Sequence, residues 1–197
     1  GFRIIPVLIG TRDPARLRNM ALSLRKYFTP DNLFVISTDF SHYPPAEEAT
    51  RIDRSTAEAV LQNDPDHFLG VFRRNDASDT RGLATAMCGW PGVYCLLSLT
   101  EEENGLEYRL LRYSHSGNGP GGDMSRTVGY WAIELVTGIM KPSATTMILT
   151  DDEKRQLLEI ARKTLENYLG EKSIPAIDSG KILPGLSRQG GAFVTLS

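Results

Sequence analysis

A chain of 197 residues, 41% hydrophobic and 23% charged, is long enough to bury a core of its own as one domain or two small ones. Its formal net charge is −2 with acidic and basic residues interspersed, so there is no general electrostatic case for nucleic acid or for a membrane surface. No apolar run reaches the length of a membrane span, no signal-peptide pattern opens the chain, and two cysteines are too few for a disulfide scaffold. A reducing, cytoplasmic setting is the expectation.

Residues 2–9 are an apolar run that predicts a strand, closed by Gly10. Asp13-Pro14 supplies an N-cap and a proline at the first helical position, and Leu17, Ala21, Leu24 and Phe28 recur at helical spacing. An amphipathic helix ending before Pro30 is expected. Residues 33–36, Leu-Phe-Val-Ile, read as a strand buried on both faces. Strand, helix and strand in this order predict two parallel neighbours.

The second of these strands runs directly into Ser37-Thr38-Asp39-Phe40-Ser41-His42-Tyr43. A carboxylate and an imidazole separated by two residues, just past the C-terminal end of a strand, lie at the edge where open α/β sheets bind ligands. There Asp39 can orient the His42 ring, hold it charged or share a metal with it; alternatively, Asp39 is a turn former and His42 a surface residue. A triad of Ser41, His42 and Asp39 is disfavoured, because adjacent Ser and His side chains diverge on an extended backbone.

From Ala46 to Leu61, Ala49, Ile52, Thr56, Ala59 and Val60 share one helical face; Asn63-Asp64-Pro65 breaks the helix and starts another through Phe68, Leu69 and Phe72. His67 on that second helix reads as a surface histidine. A polar loop over 73–87 leads to Met87-Cys88-Gly89-Trp90-Pro91-Gly92, where Pro91 suits the first turn of a helix through Val93, Tyr94, Leu96 and Leu97. Cys88 then precedes a helix N-terminus, which favours its thiolate; the alternative is a small buried thiol, and that is the reading for Cys95 inside the helix.

Residues 106–113 and 127–136 predict two strands, antiparallel if the loop from Ser114 to Gly122 is a hairpin connection. His115 in that loop could face the same cleft as Asp39, although nothing in the sequence brings them together. A stretch at 138–146, rich in Pro, Ser and Thr, marks a linker. Thr150-Asp151-Asp152-Glu153 is a capping box, followed by an amphipathic helix carrying Leu157, Leu158, Ala161, Leu165, Tyr168 and Leu169 and ended by Gly170. Residues 171–189 look irregular, and 191–196 begin a further strand. Both ends fall inside strand-like runs, so the chain is expected to be a fragment of a longer protein.

Residues 2–10, Ser37-Thr38-Asp39-Phe40-Ser41-His42-Tyr43, Cys88-Gly89 before an apolar helix, and Tyr113-Ser114-His115-Ser116-Gly117 followed by Val128-Gly129-Tyr130 resemble, in this order, the C-terminal half of the Memo family, protein B of the AmmeMemoRadiSam system. From 149 the chain resembles the opening of an AMMECR-type domain. The resemblance implies a Memo-like region at 1–140, a linker at 141–148 and an AMMECR-type region at 149–197. The implied fold is α/β: a sheet of the class III extradiol dioxygenase type with flanking helices, then the N-terminal part of an α+β AMMECR domain. It also implies an iron or copper pocket in which Cys88 matches the cysteine ligand, Asp39 and His42 match polar residues beside it, and two histidine ligands lie upstream of Gly1. His115 and the loop Asn118-Gly119-Pro120-Gly121-Gly122 depart from the family pattern.

Two function classes follow from the resemblance. One is a metal-dependent oxidoreductase of dioxygenase type, with Cys88 as thiolate ligand and His42, steadied by Asp39, as acid/base or oxyanion partner. The other is a non-catalytic binding or assembly protein that recognises a peptide or the radical-SAM component of the same system.

Overall fold

Local chemistry starts each helix. Asp13 accepts the Ala15 N–H and Pro14 fills the first turn of α1, Pro14–Leu24, which a short helical turn at Arg25–Tyr27 extends. Asp64 caps α3, Pro65–Asp76, by accepting from the N–H groups of Asp66 and His67; α2, Ala46–Val60, precedes it. Gly89 opens α4, Trp90–Thr100, with Pro91 in its first turn. Two antiparallel strands follow, β1, Leu106–His115, and β2, Gly129–Thr137, with a register irregularity between Leu110 and Arg112. The computed structural model describes residues 3–137, 150–171 and 179–183, and the chain divides into two units, Gly1–Ile139 and Met140–Ser197.

The core of the first unit lies between the helices and the hairpin. Leu17 of α1, Ile52 and Val60 of α2, Phe68 and Phe72 of α3, and Trp90, Tyr94 and Leu97 of α4 are all buried, with Tyr108 of β1 closing the cluster. Rings run through it in sequence: Phe68 to Phe72 at 6.5 Å, Phe72 to Trp90 at 5.3 Å and Trp90 to Tyr94 at 6.3 Å between centroids. Arg18 ties three helices together, reaching the Tyr94 hydroxyl, Asp66 and Glu101. These contacts fix the N-terminus of α4, and with it Cys88.

The sheet differs from the expected one. Residues 2–9 and 33–37, expected to be parallel neighbours, form no strand ladder among the described residues; the only sheet there is the β1–β2 hairpin. Ile9 and Ile36 pack onto the core, whereas Ile4, Ile5, Val7, Leu8, Leu33 and Val35 are exposed, Leu8 at 98% and Leu33 at 82%. A strand exists only where its N–H and C=O groups find a partner, and these runs make no ladder with any described residue.

In the second unit α5, Asp151–Glu171, opens with the expected capping box: the Thr150 N–H and hydroxyl both donate to Glu153 Oε2, and the Glu153 N–H donates to Thr150 Oγ1 at 3.2 Å. The helix continues through Gly170, where the sequence predicted its end. Its Gln156 side chain donates to the Lys181 carbonyl and accepts from the Leu183 N–H. The expected linker and the expected strand at 191–196 lie outside the described residues.

Candidate metal centre

The segment after Thr38 is held on both sides by backbone. The Phe40 N–H donates to Gly129 O, the Gly129 N–H to Ser41 O, the Tyr43 N–H to Thr127 O and the Thr127 N–H to Pro44 O, so residues 40–44 run as an antiparallel extension of the β2 end. On the other side the His42 N–H donates to Thr85 O and the Ala84 N–H to His42 O. Phe40 and Ser41 are buried between the more accessible Asp39 and His42.

Cys88 is brought to this segment by a second set of contacts. Its N–H donates to Asp39 O at 3.3 Å, the Asp39 N–H donates to Cys88 Sγ at 3.4 Å, and Thr38 Oγ1 lies 3.8 Å from the same sulfur. The Gly89 N–H donates to Thr38 Oγ1 at 2.8 Å, and a Cβ at Gly89 would come within 2.6 Å of Thr38. Glycine is therefore required there for Thr38 and Asp39 to dock on the α4 N-terminus. Cys88 is exposed, and its sulfur receives the Asp39 N–H just before the N-terminus of α4.

Asp39, His42 and Cys88 converge: one ligand atom from each lies within 4.8 Å of the others. His42 Nε2 stands 3.7 Å from Asp39 Oδ2, too far for a hydrogen bond, and this buried nitrogen has no other partner. For metal–donor distances of about 2.0–2.3 Å, donors in a tetrahedral site stand about 3.3–3.8 Å apart, so this spacing suits a shared ion better than a direct hydrogen bond. Sulfur, imidazole and carboxylate together form a mixed soft and hard donor set that the late first-row metals accept.

Three other residues singled out in the sequence fall elsewhere. His67 is exposed on α3, and Cys95 is buried in α4, where burial pushes its thiol pKa up. His115 is also buried, outside the converging trio, with its Nδ1 unpartnered.

Sequence reading missed the support beneath the trio. Asp53 of α2 is fully buried, accepting the Ser41 N–H at 2.8 Å through Oδ1 and the Tyr113 hydroxyl at 2.7 Å through Oδ2. Burial raises its pKa against the opposing pull of these donors. A Cβ at Gly129 would lie 1.7 Å from Asp53 Oδ2, so that glycine makes room for the carboxylate. The available signal was a charged residue one helical turn from Ala49 and from Thr56, on a face otherwise apolar or small. Tyr130 was missed too: burial and, to a lesser extent, the charge of Asp39 raise its phenol pKa.

A mixed α/β unit that gathers thiol, imidazole and carboxylate donors where a loop segment joins a strand end defines a protein with a candidate metal centre. The profile described as Memo-like protein matches residues 1–134, and the chain belongs to that family. It is 34% identical over 136 residues to a MEMO1 family protein of Desulfurococcus amylolyticus, covering 68% of this chain and 44% of the relative. MEMO1 family proteins of Methanosarcina barkeri and Thermoplasma acidophilum are 30% and 29% identical, over 67% and 69% of this chain and 48% and 47% of their own lengths. The chain thus spans about half the length of the curated relatives it matches.

Proposed function

We propose that this chain supplies Cys88, His42 and Asp39 to a redox-active iron or copper centre in a Memo-family protein akin to protein B of the AmmeMemoRadiSam system. The convergence of the three donor atoms within 4.8 Å carries the reading, and the unpartnered His42 Nε2 beside Asp39 supports it. Cys88 binds the ion as thiolate, its sulfur already receiving the Asp39 N–H. The Asp39 carboxylate, 3.7 Å from His42 Nε2, lies where both groups face the same ion. A bound ion supplies Lewis acidity and one-electron chemistry. By resemblance, two further histidine ligands come from outside this chain, and the remainder past residue 149 begins an AMMECR-type domain in a cytoplasmic protein.

The test is metal analysis after anaerobic reconstitution of the chain, alone and co-expressed with the half of a MEMO1 family relative that it does not match, beside the Cys88→Ala variant. Stoichiometric iron or copper that the variant loses supports the reading; no metal in any sample overturns it.

A second reading, assembly with a peptide or with the radical-SAM component, draws on the exposed apolar residues Ile4, Ile5, Leu8 and Leu33. No helix among the described residues is long and apolar enough to cross a membrane.

A further inference from the structure

An open cleft of about 400 Å³ is lined by Tyr43 with Arg81, Gly82, Asp123, Ser125 and Arg126 among others. Tyr43 follows His42 directly, their rings 5.6 Å apart. Its backbone has φ 75°, an uncommon conformation for a residue with a bulky side chain, held by the Tyr43 N–H donating to Thr127 O. Gly82, itself at φ 77°, backs onto it: a Cβ there would lie 2.7 Å from the Tyr43 carbonyl oxygen. The Arg126 guanidinium stacks over the Tyr43 ring at 4.1 Å.

The charges of the cleft are unevenly satisfied. Neither Arg81 nor Arg126 forms an ion pair among the described residues, although both line the same cleft. Asp123, the acid in the lining, accepts the Ser125 N–H at 2.8 Å and the Ser125 hydroxyl at 2.6 Å; these bonds and, to a lesser extent, the nearby Arg126 charge hold its pKa below the usual carboxylate range. It therefore orders the turn that presents Arg126 while making no ion pair within 4 Å with either guanidinium. An aromatic face with two unpaired planar donors recognises a planar or tetrahedral oxyanion bidentately.

We propose that the Tyr43–Arg81–Arg126 cleft is an oxyanion subsite, taking the carboxylate or phosphate of a small ligand whose other end reaches the Asp39–His42–Cys88 trio. The link to the trio rests on the proposed metal centre; the anion affinity does not. Because the strained Tyr43 joins the two, an anion stacked beside its ring sits one residue from His42.

The test is an NMR titration of the full chain, metal-free and metal-loaded, with inorganic phosphate and with benzoate. Saturable shifts at Tyr43, Arg81 and Arg126 in both states are expected, at millimolar affinity, weakened roughly tenfold by Arg81→Gln and by Arg126→Gln and further by the pair. Arg126→Lys, which keeps charge and loses the fork, should bind between the native chain and Arg126→Gln. Phosphate and benzoate separate the two anion chemistries, the one bound more tightly naming the ligand group. Shifts absent from these residues, or insensitive to the variants while their thermal melts stay native, overturn the proposal. Anion binding seen only with metal loaded overturns it as well, since the ion and not the arginines would then be the receptor. If the chain takes up no metal yet binds both anions at the arginines, the subsite stands and the metal centre falls.

Discussion

Removing the Asp53 carboxylate tests how the candidate site is held up. In Asp53→Ala the Ser41 N–H and the Tyr113 hydroxyl lose their buried acceptor, each orphaned donor costing about 1–3 kcal/mol. Relief of the buried charge offsets part of that, so the net loss expected is about 2–4 kcal/mol, and roughly half as much for Asp53→Asn, whose amide oxygen still accepts one bond. The pH dependence gives a sharper signature. Burial raises the folded-state pKa of Asp53 above its unfolded value of about 3.9, so the group's stabilising contribution is fully present below that value and is lost as pH rises through the folded-state pKa. Asp53→Asn does not titrate, and its deficit relative to the native chain should therefore shrink as pH rises through that window. Urea unfolding followed by tryptophan fluorescence measures this, because both tryptophans, Trp90 and Trp131, belong to the first unit. A deficit that grows with pH, or an Asp53→Ala cost below about 0.5 kcal/mol, would refute the assignment of Asp53 as a buried carboxyl supporting Ser41.

Further outcomes can be checked separately. Gly129→Ala should destabilise the first unit by at least as much as Asp53→Ala, since its Cβ displaces Asp53 Oδ2; a native-like melt would contradict the packing. Cys88 should react with a thiol reagent at once and Cys95 only as fast as the unit opens, so two equal rates would show that the burial of Cys95 is not maintained. Thr150→Ala should cost α5 about 1 kcal/mol through the loss of its capping box, read as reduced helix content, with Thr150→Ser restoring it. The isolated chain, with Ile5 and Leu8 at 79% and 98% exposure, should bind a hydrophobic dye and self-associate, and Ile5→Glu with Leu8→Asp should suppress both; a dye-silent monomer would remove the case for an assembly surface.

The sequence by itself determined the parts that local chemistry specifies. Asp13-Pro14, Asp64-Pro65 and Thr150 with Glu153 mark helix starts through hydrogen bonds spanning two or three residues, and the α2 face shows its burial through spacing alone. The β1–β2 hairpin was legible from two apolar-rich runs around a Gly-rich loop, and the Memo resemblance set Asp39, His42 and Cys88 side by side as candidates. Tertiary structure decided whether residues 2–9 and 33–37 become strands, because a strand needs a partner that no intrinsic propensity provides. It also decided that Asp53 lies beneath Ser41, 12 positions away, and that Asp39 meets Cys88 across 49 positions of chain. Such long-range pairings have no periodicity to betray them; here they depend on glycines at 89 and 129 whose missing side chains leave room for Thr38 and Asp53.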